Sequence, residues 1–213
     1  MKQRLQDHLN TVIPNGELVA SSLPQCEGIL LYLLKADYPQ TSLTGEQINN
    51  LMDAPPYWAF CWASGQVLAA QIMANPSLVK DKTLLDFGSG SGVVAIAAKK
   101  AGATRAIACD QDSYALMACE LNAQLNGVQL EYADDYASAQ DTEVITVADV
   151  FYDRDNLPLL GDMQQRFGQL WVSDSRLKGM PLPGLRIVDS VQSHTVPDLS
   201  ESIEFNSVTV YRS

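Results

Sequence analysis

The sequence predicts an α/β protein built on a doubly wound, mostly parallel sheet, and three observations carry that reading. From Lys82 onward, short apolar runs rich in strand formers alternate with stretches at helical spacing, as in a parallel sheet joined by crossover helices. The first of these runs passes directly into a glycine-rich turn and then a helix. The tail alternates in the manner of antiparallel strands, so the sheet is expected to finish with a hairpin-like pair.

The strands follow in order: KTLLDF (82–87), TRAIACD (104–110), VQLEYA (128–133), EVITVADV (143–150) and QLWVSD (169–174). Between them the spacing predicts helices over SGVVAIAAKKAG (91–102), DSYALMACELNAQLNG (112–127) and RDNLPLLGDMQQRF (154–167). Gly127 is placed to cap the second of these. The tail segments are GLRIVDSVQSHTV (184–196) and IEFNSVTVYRS (203–213). Ahead of the first strand, GQVLAAQIMANP (65–76) has apolar residues at helical spacing and ends at Asn75-Pro76.

Residues 1–55 lack this alternation and are expected to form a helical extension or cap on a core of 56–213. Two helix-like runs stand out there, CEGILLYLLKADY (26–38) and TGEQINNLMDA (44–54), and Pro55-Pro56 closes the segment.

Composition narrows the function classes. With 213 residues and 46% hydrophobic content the chain can bury a sizeable core. Fourteen basic residues against 25 acidic give a formal charge of -11, and no block of Lys or Arg offers a surface for tracking phosphates, so nucleic acid is not an expected partner. The four cysteines form no C-x-x-C pair and the chain has two histidines, so no metal site is expected. The opening residues are too polar for a secretory signal and no apolar run approaches a membrane span, so the expected setting is cytoplasmic, without membrane contact.

The chemistry-bearing motif is the turn after the first strand, Asp86-x-Gly88-x-Gly90-x-Gly92, with Ser89 inside it. Glycines let backbone amides approach a ligand closely, and the helix that follows presents its N-terminus to negative charge. The dinucleotide fingerprint would need Gly or Ala where Val93 stands, and a phosphate-binding loop would need a following Gly-Lys-Ser/Thr. D-x-G-x-G-x-G after a first strand resembles the nucleotide-binding loop of class I S-adenosylmethionine-dependent methyltransferases. Asp110, 24 residues after Asp86 at the end of the next strand, stands where a carboxylate can take both ribose hydroxyls; its alternative role is to cap the helix that follows. Every parallel strand ends in a carboxylate (Asp86, Asp110, Asp134 or Asp135, Asp149, Asp174), and three of the five are expected to face one crevice.

The fourth strand ends in Asp149-Val150-Phe151-Tyr152. D-x-x-Y there resembles the seven-β-strand protein lysine methyltransferases, and an ionised carboxylate suits a lysine ammonium, which has donors and no acceptors. The alternative is a strand-end Asp followed by two packed aromatics. Taken together, PYWAFCWASGQVLA, LLDFGSGSGVVAIAAKKAGA, CDQDSYALMACELNAQLNGV and ADVFYD are similar to segments of the bacterial relatives of the electron-transfer-flavoprotein beta-subunit lysine methyltransferase.

That resemblance implies a seven-stranded Rossmann-like methyltransferase sheet with an N-terminal helical extension, S-adenosylmethionine as donor, and a protein substrate presenting lysine, with the flavoprotein's beta subunit as the candidate. By position it implies Trp62 beside the donor with small residues after it leaving room, Gly88 and Gly90 around the methionine part, Asp110 on the ribose, Asp135 (or Asp134) near the adenine, Ala148 offering backbone contacts, and Asp149 with Tyr152 at the lysine. Phe151 and Tyr152 would wall the lysine stem, whereas Trp58 belongs to a hinge. The loop SDSRLKG departs from the Asp-Pro-Gly-Arg usual in that group, with Arg176 early, which bears on the protein substrate. Two other functions fit the same core: methylation of a small molecule or ribosomal protein, or a non-catalytic adenosyl-binding interaction module.

Overall fold

A computed structural model describes residues 1–39, 45, 51, 54–139, 141–151, 153–198 and 202–213. Helix α1 (Lys2–Val12) and the antiparallel strands β1 (Leu18–Ser22) and β2 (Leu30–Leu34) precede the core. The core then runs α2 (Ala63–Ala74), β3 (Thr83–Phe87), α3 (Val93–Lys100), β4 (Arg105–Cys109), α4 (Ser113–Leu125), β5 (Glu131–Ala133), β6 (Val144–Ala148), α5 (Leu157–Arg166), β7 (Gln169–Asp174), β8 (Arg186–Gln192) and β9 (Ser207–Arg212).

Strands β3 to β9 form one seven-stranded sheet in the order β5-β4-β3-β6-β7-β9-β8. β5, β4, β3, β6 and β7 pair in parallel, and β9 runs antiparallel to both β7 and β8. The five parallel strands and the closing pair lie where the periodicity predicts. Chain order reverses between β3 and β6, and in an open α/β sheet the carboxyl ends of such a strand pair border the ligand crevice.

Alternate residues of the parallel strands feed opposite layers, as strand geometry requires. Leu84, Ala106, Ala108 and Val144 pack with Val67, Leu68 and Ile72 of α2 and with the apolar residues of α3. Leu85, Ile107, Ile145 and Val147 pack on the other face with Leu160 and Met163 of α5. Gly65 lets α2 lie close on α3: a Cβ there would sit 3.1 Å from Val93 Cγ1. The small residue therefore serves helix packing instead of making room for a ligand.

The run 26–38 forms no helix. Its apolar residues ILLYLL contain strand β2, in which Leu31 and Leu33 are buried while Leu30 is exposed. A short continuous apolar run has no period that separates strand from helix, and the partner β1 decides the outcome. The outer edge of β2 is closed by two asparagines one helical turn apart, Asn122 in α4 and Asn126 at its C-cap. Asn122 Oδ1 accepts from Tyr32 N at 2.7 Å, and Asn126 Oδ1 accepts from Leu30 N at 3.0 Å. The second run, 44–54, falls mostly outside the described residues. Leu5, Leu9 and Val12 of α1 share a third cluster with Trp58 and with Ala115 and Ala118 of α4.

Candidate functional site

At the carboxyl ends of β3, β4 and β6 lies a cavity of about 340 Å³, lined by Tyr57, Trp62, Gly88, Gly90, Asp110, Ala148, Asp149, Val150, Asp153, Asn156 and Arg176. Its size falls in the range of small-molecule pockets, roughly 300–1,000 Å³.

The glycine loop forms the floor. Gly88 N and Ser89 N both donate to Cys109 O, at 2.9 and 3.1 Å, which folds the loop back over β4. Gly88 has φ +68°, and a Cβ there would lie 2.9 Å from Val150 Cγ2, inside the cavity wall. Gly92 at φ +82° starts α3, and a Cβ there would meet Cys119 Cα at 3.2 Å. Only glycine meets both demands, a left-handed backbone and no Cβ. Ser89 is buried, with its hydroxyl 3.4 Å from Cys119 Sγ. Of the loop, Gly88 and Gly90 line the cavity while Ser89 and Gly92 hold its shape.

Asp86 lies beneath this floor and is not a lining residue. It is 2% exposed and its Oδ1 accepts from Thr146 Oγ1 at 2.9 Å. Burial pushes its carboxyl up to about 7; the bonds from Thr146 and from the Ala95 amide of α3 oppose this, and the charge of Asp110 adds to it. The expected ligand contact is thus replaced by a strut between β3, β6 and α3.

Asp110 lines the cavity as expected. Its Oδ2 accepts from Gly90 N at 3.0 Å and its Oδ1 from Asp112 N at 3.0 Å. Burial raises its carboxyl above the usual range, against the two amide bonds. The capping alternative falls to Asp112, whose side chain accepts from Tyr114 N at the start of α4.

Across the floor, Asp149 follows β6 with φ +49°, a conformation few non-glycine residues adopt. Its Oδ1 accepts from Ser64 Oγ at 2.7 Å, Ser175 N at 3.0 Å and Ser175 Oγ at 2.9 Å. Its Oδ2 receives one long bond, 3.4 Å, from Ser64 N in the first turn of α2. Phe151 is 0% exposed and packs with Leu160 and Met163, so it belongs to the core and walls nothing in the cavity. Tyr152 lies outside the described residues.

Trp62 is partly exposed and leads into α2. Its Nε1 donates to Tyr57 O at 3.1 Å, and its ring meets Tyr57 at 5.7 Å and Phe60 at 5.8 Å. Trp58 is 1% exposed and packs in the N-terminal cluster. The guanidinium of Arg176 lies 5.7 Å from the Trp62 ring and 4.9 Å from that of Phe205, forming an aromatic-backed cation at the rim.

Two of the five strand-end carboxylates, Asp110 and Asp149, line the cavity, fewer than the expected three. Asp174 is fully buried and accepts from Arg176 N and Leu177 N, shaping the turn after β7. Asp135 starts a 3-10 turn by accepting from Ala137 N at 2.9 Å and does not line the cavity. Tyr57, Val150, Asp153 and Asn156 were not foreseen as lining residues. Asn156 Nδ2 donates to Val150 O at 3.2 Å, fastening the turn after Asp149. A polar turn directly after the D-x-x-Y pattern was the available signal for Asp153 and Asn156.

Among the described residues no three of His, Cys, Asp or Glu gather closely enough to hold a metal ion, and no helix is long and apolar enough to cross a membrane.

A family model described as ribosomal protein L11 methyltransferase (PrmA) matches residues 68–152, from α2 to the Asp149 turn. The electron transfer flavoprotein beta subunit lysine methyltransferase of Mus musculus is 41% identical over 121 residues, covering 55% of this chain and 48% of that protein. Ribosomal protein L11 methyltransferase of Pectobacterium carotovorum is 40% identical over 101 residues, covering 45% of this chain and 34% of that protein. The chain therefore spans about half, or less, of the length of these relatives. The crystal structure of a ribosomal protein L11 methylase from Lactobacillus delbrueckii superposes with a TM-score of 0.51 at 22% identity, covering 70% of this chain and 78% of the other.

Proposed function

We propose that this chain, which has the Rossmann-like fold of class I methyltransferases, transfers methyl groups from S-adenosylmethionine to lysine side chains of a protein, with the electron transfer flavoprotein beta subunit as the first acceptor to test. The observation that carries the reading is the pairing of two differently built carboxylates in one cavity, Asp110 on the glycine-loop side and Asp149 at the end of β6.

The cavity suits the donor. Gly88 and Gly90 leave open space where any side chain would intrude, Asp110 is positioned for paired hydroxyls, and Trp62 supplies an apolar wall. Asp110 already accepts two amide bonds, so a ribose takes its remaining lone pairs. Asp149 serves the acceptor. At pH 7 a lysine amine is neutral in fewer than roughly one molecule in a thousand, and only the neutral form has a lone pair to attack with. A carboxylate favours the ammonium; partial desolvation and the donor's sulfonium favour the amine. Asp149 therefore acts mainly by orienting the nitrogen in line with the methyl–sulfur bond, where alignment supplies much of the acceleration. The nitrogen pair forms the new C–N bond as the methyl–sulfur bond breaks, sulfur keeps that bond's electrons as a neutral thioether, and the proton leaves to water.

A ribosomal protein is the second reading, favoured by the family match over residues 68–152. Tritiated donor incubated with recombinant electron transfer flavoprotein, ribosomes and lysate separates the two, with mass spectrometry to find the methylated lysine. Label on a flavoprotein lysine supports the first reading and label on ribosomes the second. Label confined to small molecules contradicts both, and donor binding without turnover in any fraction leaves an adenosyl-binding module.

A further inference from the structure

Asp149 is the acceptor-side carboxylate of the proposed reaction, yet the hydrogen bonds around it are divided very unevenly. Oδ1 takes three bonds, from the hydroxyls of Ser64 and Ser175 and from the Ser175 amide, at 2.7 to 3.0 Å. Oδ2 takes one, at the 3.4 Å edge of hydrogen-bond length, among the described residues. A carboxylate oxygen has two lone pairs, so Oδ1 is saturated and the capacity Asp149 keeps for a ligand resides on Oδ2.

The two serines are themselves fixed. Ser64 is fully buried; its carbonyl accepts from Ser173 Oγ at 2.9 Å while its hydroxyl donates to Asp149. Ser175 is buried, and its hydroxyl also accepts from Arg176 Nη1 at 3.3 Å; beside it the amide of Asp149 donates to Ser173 O at 3.0 Å. Three chain segments thus meet at one side chain: the first turn of α2, the end of β6 and the end of β7. The left-handed backbone of Asp149 is held in place by this convergence.

We infer that Ser64 and Ser175 are positioning residues that clamp Oδ1 of Asp149, so that Oδ2 alone meets the acceptor nitrogen. This rests on the lysine methyltransferase reading. A single accepting oxygen fixes the nitrogen at one point, whereas a freely rotating carboxylate would offer it two alternative oxygens and several poses. The clamp also ties acceptor to donor: Ser64 is two residues beyond Trp62, so the turn that forms the donor's apolar wall is the turn that sets Asp149.

The test compares Ser64→Ala, Ser175→Ala, the double variant and Ser175→Thr with wild type and with Asp149→Asn. The readouts are S-adenosylhomocysteine affinity and steady-state transfer to whichever wild-type-labelled protein is in hand, recombinant flavoprotein or a lysate fraction. A hydrogen bond to a charged group is worth enough that each single Ala variant should lower kcat about tenfold, with the double falling to, and no further than, the Asp149→Asn floor. Affinity for S-adenosylhomocysteine should stay within about twofold, since each Ala variant removes a hydroxyl bonded to Asp149 and leaves Trp62, Gly88, Gly90 and Asp110 unchanged. Ser175→Thr, which keeps the hydroxyl, should recover most of the loss of Ser175→Ala. Alanine variants with undiminished kcat, or losses that appear only as weaker S-adenosylhomocysteine binding, overturn the clamp while leaving the enzyme assignment standing. A wild type that labels no protein contradicts the protein-lysine reading and removes the clamp with it.

Discussion

The two sides of the cavity are made in opposite ways. The glycine-loop side is a property of one short stretch of chain: Asp86 to Gly92 takes its shape from backbone conformations that only glycine adopts freely, and the nearby Asp110 completes it. The Asp149 side has no shape of its own. Its carboxylate is set by Ser64, 85 residues earlier, and by Ser175, 26 residues later. A contiguous site can be recognised as a spelling, while an assembled one becomes visible only once the sheet has brought its parts together.

The comparison extends to the two tryptophans, which gives the largest expected effect. Trp58→Ala removes a buried ring whose indole N–H finds no acceptor among the described residues, so its contribution is packing. The loss should be about 3–5 kcal/mol in denaturant unfolding, with little change in donor affinity of the folded fraction. Trp62→Ala should do the reverse, lowering S-adenosylhomocysteine affinity about tenfold with a smaller stability loss, since an exposed-edge aromatic contributes part of a full burial. Equal effects on binding would return both rings to the core.

A buried acid beneath the floor gives the next effect. Asp86 titrates near 7 in the fold against 3.8 for the ordinary carboxyl, so between those values the unfolded chain releases a proton that the folded chain keeps. Its contribution to stability is fully present below pH 4 and falls as pH rises to 7, by up to about 4 kcal/mol. In Asp86→Asn the melting temperature should vary less across this window than in wild type. Matching pH profiles would show that the carboxyl is ionised in the fold.

Smaller still is the effect at the loop itself. Gly88→Ala adds a methyl group 2.9 Å from Val150 Cγ2 at a left-handed backbone, whereas Gly28→Ala, also left-handed, adds one into open space. Both carry strain of about 1 kcal/mol. Only Gly88→Ala should also weaken S-adenosylhomocysteine binding, and a binding titration of the pair isolates the clash from the strain.

These contrasts explain what could be read in the sequence. Strands β3, β4, β6 and β7 and helices α2 to α5 were legible because their periodicity or apolar runs are long and punctuated by Gly, Asn and Asp. β2 was misread as helix because ILLYLL carries no period, and its pairing with β1 and with Asn122 and Asn126 is a tertiary decision. Of the residues that motif and resemblance single out, Gly88, Gly90, Asp110, Ala148, Asp149 and Trp62 line the cavity. Asp86 and Asp135 were over-read, because strand ends and turns favour Asp for structural reasons as much as for ligands. Ser64 and Ser175 were invisible in their roles, since nothing local to a buried serine announces a partner 85 or 26 residues away.

The division of the cavity is tested most directly by crossing Asp110→Asn with Asp149→Asn and measuring, for each, S-adenosylhomocysteine affinity and methyl transfer at saturating donor. Asp110→Asn should raise the Kd about tenfold while transfer at saturation persists, and Asp149→Asn should leave the Kd within about twofold while kcat falls about a hundredfold, the scale at which orientation of a nucleophile acts. An Asp149→Asn enzyme that transfers at the wild-type rate, or that loses donor affinity as severely as Asp110→Asn, would contradict the assignment of donor and acceptor to separate sides.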